Sequence, residues 1–365
     1  MNRPLAGRVA TSVQDNPRAA AFFAGALDEF AEIRAAGRTA AHHYAIAGLV
    51  LRIDIACGAM EHSLCRALQH LAIPSVERPD LSLVAWDSAS TGSAPLRAAW
   101  SIEDYGNYGL IGGFNDVRYY AAAQSDPAVI FGMLDRQAGQ ALYWTPDAGG
   151  LPIWERGAPF RPLLHEWLYH CGLLPVHGGA IGLEGSGVFL AGAGGRGKSN
   201  VALGCLAAGL SYVSDDFCVL SDSPQWRAHS LYSTGKLGSG DLVRHPGLVP
   251  LVSNPHALAH EKALFFLHEA FAGQFAHHLR LKAIVLPQVV GEGRSDIVPA
   301  SAAEAQRAVA MSTVRMSGWH GVSTFSQVAR FVRALPCFTL RIGADFENIP
   351  ALIGDLLSRL AALPH

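Results

Sequence analysis

An apolar strand pattern that runs directly into a glycine-rich loop constrains this chain more than any other feature. The short run Gly187 to Leu190 leads into G-x-x-x-x-G-K-S, which reads Gly192-Ala193-Gly194-Gly195-Arg196-Gly197-Lys198-Ser199. In such a loop the backbone N–H groups and the positive end of the following helix dipole form a concave anion site. The motif predicts that Lys198 reaches the β- and γ-phosphates of a triphosphate and that Ser199 holds Mg²⁺.

The flanking sequence has the order that such a loop requires. Two apolar runs, His177 to Leu183 and Gly187 to Leu190, are separated by a polar turn, which predicts a hairpin that leads into the loop. The Ala- and Leu-rich segment Val201 to Leu210 predicts a helix, and Gly209 stands where a helix C-terminus favours glycine. The alternative is a chance match in a chain with 38 Gly, a turn that binds nothing. The order strand, loop, helix favours phosphate binding.

Two adjacent carboxylates, Asp215 and Asp216, interrupt the next apolar run, Leu210 to Leu220. Successive side chains on a strand point to opposite faces, so the two acids can act together only if the strand bulges or ends there. Acids at the end of the strand that follows a phosphate loop suit a division of labour, one toward Mg²⁺ and one toward the hydroxyl to be phosphorylated. The alternative is a polar turn in which Ser214 and Asp215 cap the backbone.

Three of these motifs together resemble the catalytic core of HPr kinase/phosphorylase and its relatives, a group that includes the serine kinases of lasso-peptide biosynthetic clusters. The resemblance rests on His177-Gly178-Gly179-Ala180, on the loop ending Gly197-Lys198-Ser199 and on Asp215-Asp216. It is specific from about Arg161 to Leu220. The resemblance implies an α/β fold with a P-loop kinase core of the HPr kinase and phosphoenolpyruvate carboxykinase type.

The resemblance also implies roles for individual residues. It implies that Lys198 and the loop from Gly192 to Asn200 bind ATP, that Ser199 with Asp216 holds Mg²⁺, that Asp215 is the acid/base at the acceptor hydroxyl, and that His177 sits beside the transferring phosphoryl group. The expected acceptor is a serine-type hydroxyl of a peptide or protein, such as a ribosomally made precursor peptide. A kinase of small-molecule hydroxyls and a non-catalytic ATP-binding regulatory module stay open as alternatives.

Two departures from the family pattern bear on the acceptor. Relatives that phosphorylate HPr usually carry Glu after Gly-Lys-Ser, where this chain has Asn200, and no copy of their Leu-Glu-x-Arg-Gly signature follows Leu220. The sequence therefore argues against HPr as substrate and against a reverse, phosphate-removing activity.

Composition sets wider limits. A chain of 365 residues is long for one domain and comfortable for two. No apolar run approaches the length of a membrane span, and Asp15, Asn16 and Pro17 stand where the apolar core of a secretory signal would lie, so the cytoplasm is the expected compartment. A net charge of −2 predicts no nucleic-acid partner. The 6 Cys residues show no C-x-x-C pair. The oligomeric state stays open, and a homo-oligomer is compatible with the sequence.

Lysine is rare in this chain compared with arginine. The chain has 28 basic residues, and the only lysines are Lys198, Lys236, Lys262 and Lys282. Where arginine is so preferred, a lysine can mark a site that needs a compact ammonium. Lys236 and Lys262 are therefore candidates for a second phosphate contact, although each is equally an ordinary solvated lysine.

Histidine spacing supports no metal site. His165 and His170 are five residues apart and would not share a helix face, and His256 and His260 have helical spacing but no clear third ligand.

The chain is predicted to divide near residue 157. Residues 1 to 157 are expected to form a smaller α+β lobe that recognises or positions the substrate, and residues 158 to 365 the ATP-binding kinase domain. Predicted helices of the first part are 16–36 and 58–71, and its strands are 43–55, 81–86, 117–122, 128–134 and 141–144. Beyond residue 220 the predicted strands are 279–289, 296–299 and 337–342, and the helices are 302–311, 325–335 and 349–363.

Overall fold

The computed structural model describes residues 16–314 and 320–362, so the first residues of the predicted N-terminal lobe and Leu363 lie outside the described residues. The described chain is a mixed α/β protein. Its helices are α1 Pro17–Ala35, α2 Ala59–Cys65, α3 Ser88–Thr91, α4 Ile153–Gly157, α5 Arg161–His170, α6 Lys198–Ala207, α7 His268–Phe271, α8 Ala302–Thr313, α9 Gly321–Arg333 and α10 Ile349–Ala361.

The strands form three sheets. Their bounds are β1 Thr39–Ile46, β2 Leu49–Ala56, β3 Leu81–Asp87, β4 Tyr119–Gln124, β5 Ile130–Asp135, β6 Gln140–Thr145, β7 Leu174–His177, β8 Gly179–Leu183, β9 Ser186–Leu190, β10 Ser211–Ser214, β11 Phe217–Ser221, β12 Arg227–Ser230, β13 Thr234–Leu237, β14 Ala263–Phe266, β15 His278–Val289, β16 Asp296–Pro299 and β17 Cys337–Ile342. Short 3₁₀ segments occupy much of the chain between β13 and β14.

The first sheet has six strands in the order β1-β2-β3-β6-β5-β4, and α1 packs on it over β3 and β6. Asn16 begins α1 by accepting a hydrogen bond from the Ala19 N–H, and Pro17 follows in the first turn, where a missing N–H costs nothing. Phe23 and Phe30 on one face of α1 are buried against the sheet, so the hydrophobic periodicity of α1 fixes which side it presents.

One predicted element of this sheet was wrong. The sequence predicts a single strand from His43 to Ile55, whereas the structure has β1 and β2 paired antiparallel across the turn Ala47-Gly48. Both turn residues have positive φ, 52° at Ala47 and 85° at Gly48, which is the backbone that a two-residue hairpin turn requires. The continuous apolar pattern on both sides hid this turn.

The second sheet has nine strands and carries the phosphate-loop motif. Its main path is β10-β8-β9-β15-β12-β11-β7, and β17 pairs with both β15 and β16. Alternate side chains of β9 enter different layers: Val188 and Leu190 pack in the cluster that contains α6 and α10, and Phe189 packs with α8 and α9. Helices thus cover both faces of the sheet, which explains why the consecutive residues Val188, Phe189 and Leu190 of β9 are all apolar.

Most remaining element predictions are confirmed within a few residues. The β8–β9 hairpin, α6, β16, β17 and the last helices lie where the sequence places them, and Gly209 follows α6 with φ of 91°. Helix α5 and strands β12 to β14 were not predicted. The division near residue 157 stays a prediction; the two large sheets lie on either side of it, but buried side chains such as Phe217 and Leu264 join the core of the N-terminal sheet.

Among the described residues, none of the helices combines the length and the apolar character needed to cross a membrane.

Candidate functional site

The loop between β9 and α6 is exposed and ends at the first turn of the helix. Gly195 and Gly197 have φ of 81° and 94°, a left-handed backbone that glycine adopts without a steric penalty. Gly197 is the N-cap of α6, so the helix begins at Lys198 and its first N–H groups face the loop without intrahelical partners. This arrangement of turn and helix N-terminus suits an anion.

Lys198 lies within the loop, in contact with its backbone. Its Nζ donates hydrogen bonds to the Gly192 carbonyl at 2.7 Å and to the Ala193 carbonyl at 3.4 Å, and the residue is only 6% exposed. Burial lowers the pKa of Lys198, while the charges of Asp216 and Asp215 oppose that shift. A buried ammonium with carbonyl partners at the loop surface can exchange them for phosphate oxygens.

Sheet topology brings the acid pair and His177 to the same edge as the loop. Strands β9 and β10 both pair antiparallel with β8, so their carboxyl ends meet at the edge where β8 begins. Strand β10 ends at Ser214 and β11 begins at Phe217, so Asp215 and Asp216 stand at a strand end, as predicted. His177 is the last residue of β7, one residue away from β8 at this edge, and it pairs with Phe217.

The two glycines after His177 allow this close approach. A Cβ at Gly179 would lie 2.8 Å from the Ser214 carbonyl oxygen, and a Cβ at Gly178 would lie 2.2 Å from the Phe189 ring. Real Cβ atoms do not approach backbone atoms or rings so closely. Glycine is therefore required at both positions for the strand end that carries the acids to pack beside His177.

Asp216 is held by two basic side chains. Its Oδ1 lies 2.7 Å from Nε2 of His177 and its Oδ2 lies 2.9 Å from Nζ of Lys236. Burial alone raises the pKa of Asp216, but Lys236 and His177 more than offset this effect and hold the pKa well below its usual range. Asp216 is therefore ionised, with one oxygen engaged by His177 and the other by Lys236.

Asp215 occupies a different environment, only 2% exposed. The Tyr212 hydroxyl lies 3.1 Å from its Oδ1, and the Lys236 backbone N–H donates to its Oδ2 at 3.4 Å. Burial, and then the charge of Asp216, raise the pKa of Asp215, while a hydrogen bond from Ser199 opposes the rise. Asp215 thus neighbours the last residue of the loop motif, and Asp216 neighbours His177.

Phe217 forms an aromatic platform beside His177. The two rings stack with centroids 5.3 Å apart, and the Arg161 guanidinium and the Lys236 ammonium lie 4.9 Å and 5.6 Å from the Phe217 centroid. Such contacts between cations and an aromatic face are attractive. Phe217 therefore packs against two cationic side chains, those of Arg161 and Lys236, next to the acid pair.

Asn200, predicted to bind the cofactor, has its side chain against a neighbouring segment. Its Oδ1 lies 3.0 Å from Nε2 of His245. His245 also lines a cavity of about 780 Å³ between α6 and the ends of β15 and β17, together with Val201, Gly204, Gly291 and Phe346. That volume lies within the range of small-molecule sites.

Two further lysines lie near the loop. Lys236 sits on β13, and Lys262 directly precedes its partner β14. Lys236 contacts Asp216, and Lys262 is exposed but close enough to Lys198 to affect its pKa. Sequence reasoning named both lysines from their rarity; it missed Arg161, Phe217 and Tyr212, for which no local pattern gives a signal.

The described part of the chain contains no group of three or more His, Cys, Asp or Glu side chains that could hold a metal ion. A Mg²⁺ site needs fewer: one or two carboxylates suffice when substrate phosphates and water complete the octahedron. Ser199 and Asp215 supply oxygen donors of that kind next to the loop.

Comparison with known proteins gives little further information. No protein-family model matches the sequence, and no curated protein matches it. Among solved structures, the HPr(Ser) kinase/phosphatase from Coxiella burnetii is similar with 12% identity and a TM-score of 0.27, over 51% of this chain and 93% of that chain. At that TM-score the similarity carries no argument, and the function is argued from the site.

Proposed function

We propose that this chain is an ATP-dependent phosphotransferase that phosphorylates a serine-type hydroxyl of a peptide or protein. The observation that carries the proposal is the meeting, at one sheet edge, of Lys198 in a glycine-rich loop with the acid pair and His177. Phosphoryl transfer requires mainly positioning and charge stabilisation, and these residue types supply both.

The nucleotide is proposed to bind along the loop and α6. Its β- and γ-phosphates would take the N–H groups at the start of α6 and the ammonium of Lys198. The cavity beside α6 has room for a nucleoside, since it measures about 780 Å³. ATP is the nucleotide that the sequence resemblance implies.

The roles that we propose for the two acids are the reverse of those expected from the sequence: Asp215 would hold Mg²⁺, and Asp216 would act at the acceptor hydroxyl. Ser199 lies close enough to Asp215 to lower its pKa, so this pair is the one suited to hold Mg²⁺, which would screen the phosphate charge. Asp216 and His177 face the acceptor side, with Lys236 holding the Asp216 carboxylate in place.

On the acceptor side, the pair His177–Asp216 can orient the hydroxyl and take its proton. When Nε2–H of neutral His177 donates to Asp216, Nδ1 keeps a lone pair that can accept the hydroxyl proton. Asp216 then stabilises the imidazolium that results. Lys236 contacts Asp216, and Lys198 lies close enough to both acids to interact with their charges, so both ammonium groups would compensate the charge of the transferring group.

The test is phosphate transfer from γ-labelled ATP to a panel of serine peptides and small alcohols, with calorimetry of ATP·Mg²⁺ binding alongside. We expect micromolar to millimolar ATP binding and label in serine peptides. Absence of ATP binding would overturn the proposal. Binding without transfer to any acceptor would favour a regulatory module, and transfer to small alcohols alone would favour a small-molecule kinase.

A further inference from the structure

Arg161 joins the catalytic cluster to the N-terminal sheet. It is the first residue of α5, and its guanidinium carbon lies 4.9 Å from the centroid of the Phe217 ring on which His177 stacks. The same arginine lines a small cavity of about 70 Å³ with the side chains of Tyr108, Tyr120 and Trp154. Arg161 therefore faces the proposed acceptor side from the direction of the predicted substrate-positioning lobe.

Arg161 also lacks an acidic partner. Within residues 16–314 and 320–362, no carboxylate lies within ion-pair distance of it, although the half-buried guanidinium stands at the site. Seven other arginines of the same described ranges form ion pairs with carboxylates, namely Arg34, Arg52, Arg66, Arg118, Arg136, Arg330 and Arg341, whereas the half-buried Arg161 is in none of these pairs. An unpaired guanidinium beside an aromatic ring keeps its planar fork of donors available for an oxyanion.

The backbone holds Arg161 in this place. The preceding residue, Phe160, is fully buried and has φ of 56°, a left-handed conformation that is rare for a bulky side chain. The Phe160 N–H donates to Oε1 of Glu155 at 2.9 Å, which pins the turn before α5. Strained backbone that the surroundings enforce is common where a side chain must be aimed.

Glu155 is the acid nearest in sequence; the positive charge of Arg161 opposes the rise in its pKa, but the two side chains form no ion pair among the described residues. Its carboxyl group is 3% exposed, and it accepts its hydrogen bond from the Phe160 backbone. Burial raises the pKa of Glu155 to about 7, so near neutral pH this carboxyl carries only part of a negative charge.

Resting on the proposed function, we propose that Arg161 is a specificity-determining residue that binds an oxyanion of the acceptor, a carboxylate or a phosphate close to the hydroxyl that is phosphorylated. The fork of the guanidinium would take the two oxygens, and the Phe217 ring would keep the fork in plane. The acceptor is thus an acidic peptide segment around a serine.

The test uses fluorescein-labelled hexapeptides with a central serine flanked by Glu, by Gln or by phosphoserine. Binding is measured by anisotropy in the presence of Mg²⁺ and a non-hydrolysable ATP analogue. We expect the Glu and phosphoserine peptides to bind at least about tenfold more tightly than the Gln peptide, the value of one charge-assisted hydrogen bond. The comparison of Glu with phosphoserine distinguishes the two oxyanions.

Arg161→Met should bring the ratio of acidic to neutral peptide affinity close to one and leave affinity for the ATP analogue unchanged. Arg161→Lys, which keeps the charge without the fork, should retain an intermediate ratio if Arg161→Met fails to fold. Arg359→Met, on the exposed side of α10, is the matched control and should change nothing. Equal binding of acidic and neutral peptides, or no binding of either, overturns the proposal.

Loss of ATP-analogue affinity in Arg161→Met would assign Arg161 to the nucleotide phosphates and also overturn it. The proposed function fails separately, when wild-type protein does not bind ATP·Mg²⁺ at all.

Discussion

Nε2 of His177 lies 2.7 Å from Oδ1 of Asp216, so a histidine before one strand and an acid after another form a single pair. Lys236 reaches the second oxygen of the same carboxylate. Each group holds the other two in orientation, and the pair borders the loop that carries Lys198. Asp216 thus neighbours His177 and Lys236, whereas Asp215 neighbours Ser199, and the two acids are expected to respond differently to substitution.

Lys198→Ala is expected to abolish phosphate transfer and weaken ATP binding while the fold stays intact. The ammonium supplies charge to the phosphates, and removal of one such group costs about 10²- to 10³-fold in turnover. Calorimetry with ATP·Mg²⁺ and a transfer assay measure both effects. Lys282→Ala, on a strand of the nine-stranded sheet away from the loop, is the lysine control. Unchanged ATP affinity and turnover would show that the loop is not a phosphate site.

The two acids should differ in their kinetics. Asp216→Asn should lower turnover by about 10²- to 10⁴-fold with little change in nucleotide affinity, because it removes the carboxylate that orients His177. Asp215→Asn should act through Mg²⁺ and be partly relieved when the Mg²⁺ concentration is raised. A Mg²⁺ titration of both variants separates the roles. The reverse outcome would restore the assignment expected from the sequence resemblance, with Asp215 as the base.

Substitution of the two acids by Asn should change the free energy of unfolding in opposite directions. The raised pKa of Asp215 means that the folded state holds its proton more tightly, so stability falls as pH rises through that window. Asp215→Asn should therefore stabilise the protein at pH 7, and this gain should disappear as the pH falls to the unfolded pKa near 4.

The lowered pKa of Asp216 has the opposite consequence. Its contribution is fully present above the unfolded pKa near 4 and is lost as pH falls through the lower folded value. Asp216→Asn should cost about 1–3 kcal/mol at pH 7, since hydrogen bonds to charged groups have this magnitude, and most of the loss should persist at pH 4. Thermal unfolding of the wild type and both variants at the two pH values checks these signs. Two variants that shift the melting temperature in the same direction at pH 7 would contradict them.

The sequence predicts those parts of the candidate site whose residues lie close together along the chain, and it does not predict contacts between residues that are far apart in sequence. Gly197, Lys198 and the acid pair could be named from the sequence because each belongs to a local motif. The contact of Lys236 with Asp216 depends on the ribbon of β13 and β14, which is set by long-range pairing and by 3₁₀ segments that have no periodicity. The exchange of roles that we propose for Asp215 and Asp216 likewise depends on which acid lies beside Ser199.

The fold shows the same limit. Buried strands such as β9 were predicted because a short apolar run bounded by turns has few other solutions. The β1–β2 turn was missed because Ala47 is not a residue that signals left-handed backbone. Arg161 and Phe217 carry no local signal, since their meeting is a product of α5 packing on the sheet.

Glu155 provides a pH-dependent test of the junction that carries Arg161. Burial raises its pKa to about 7, so stability should fall as pH rises from about 4.5 to 7, where the unfolded chain releases the proton first. Glu155→Gln keeps an acceptor for the Phe160 N–H and should stabilise the protein by about 1–3 kcal/mol at pH 8, but have little effect at pH 5. Chemical denaturation at both pH values is the measurement. An equal effect at pH 5 and pH 8 would show that Glu155 does not titrate in this range.

The last prediction concerns direction and acceptor. Asn200 stands where the HPr-directed kinases that the sequence motifs resemble usually carry Glu, and its amide oxygen is already engaged with His245 at 3.0 Å. The site therefore has no extra carboxylate at that position to hold Mg²⁺ and activate inorganic phosphate, so we expect a kinase that works in one direction and ignores HPr. The assay offers phosphorylated HPr with inorganic phosphate, and HPr with ATP, beside a bifunctional HPr kinase/phosphorylase as positive control. Rapid turnover in either reaction would refute the prediction, because it would show that the loop needs no acid at residue 200 for the reverse chemistry.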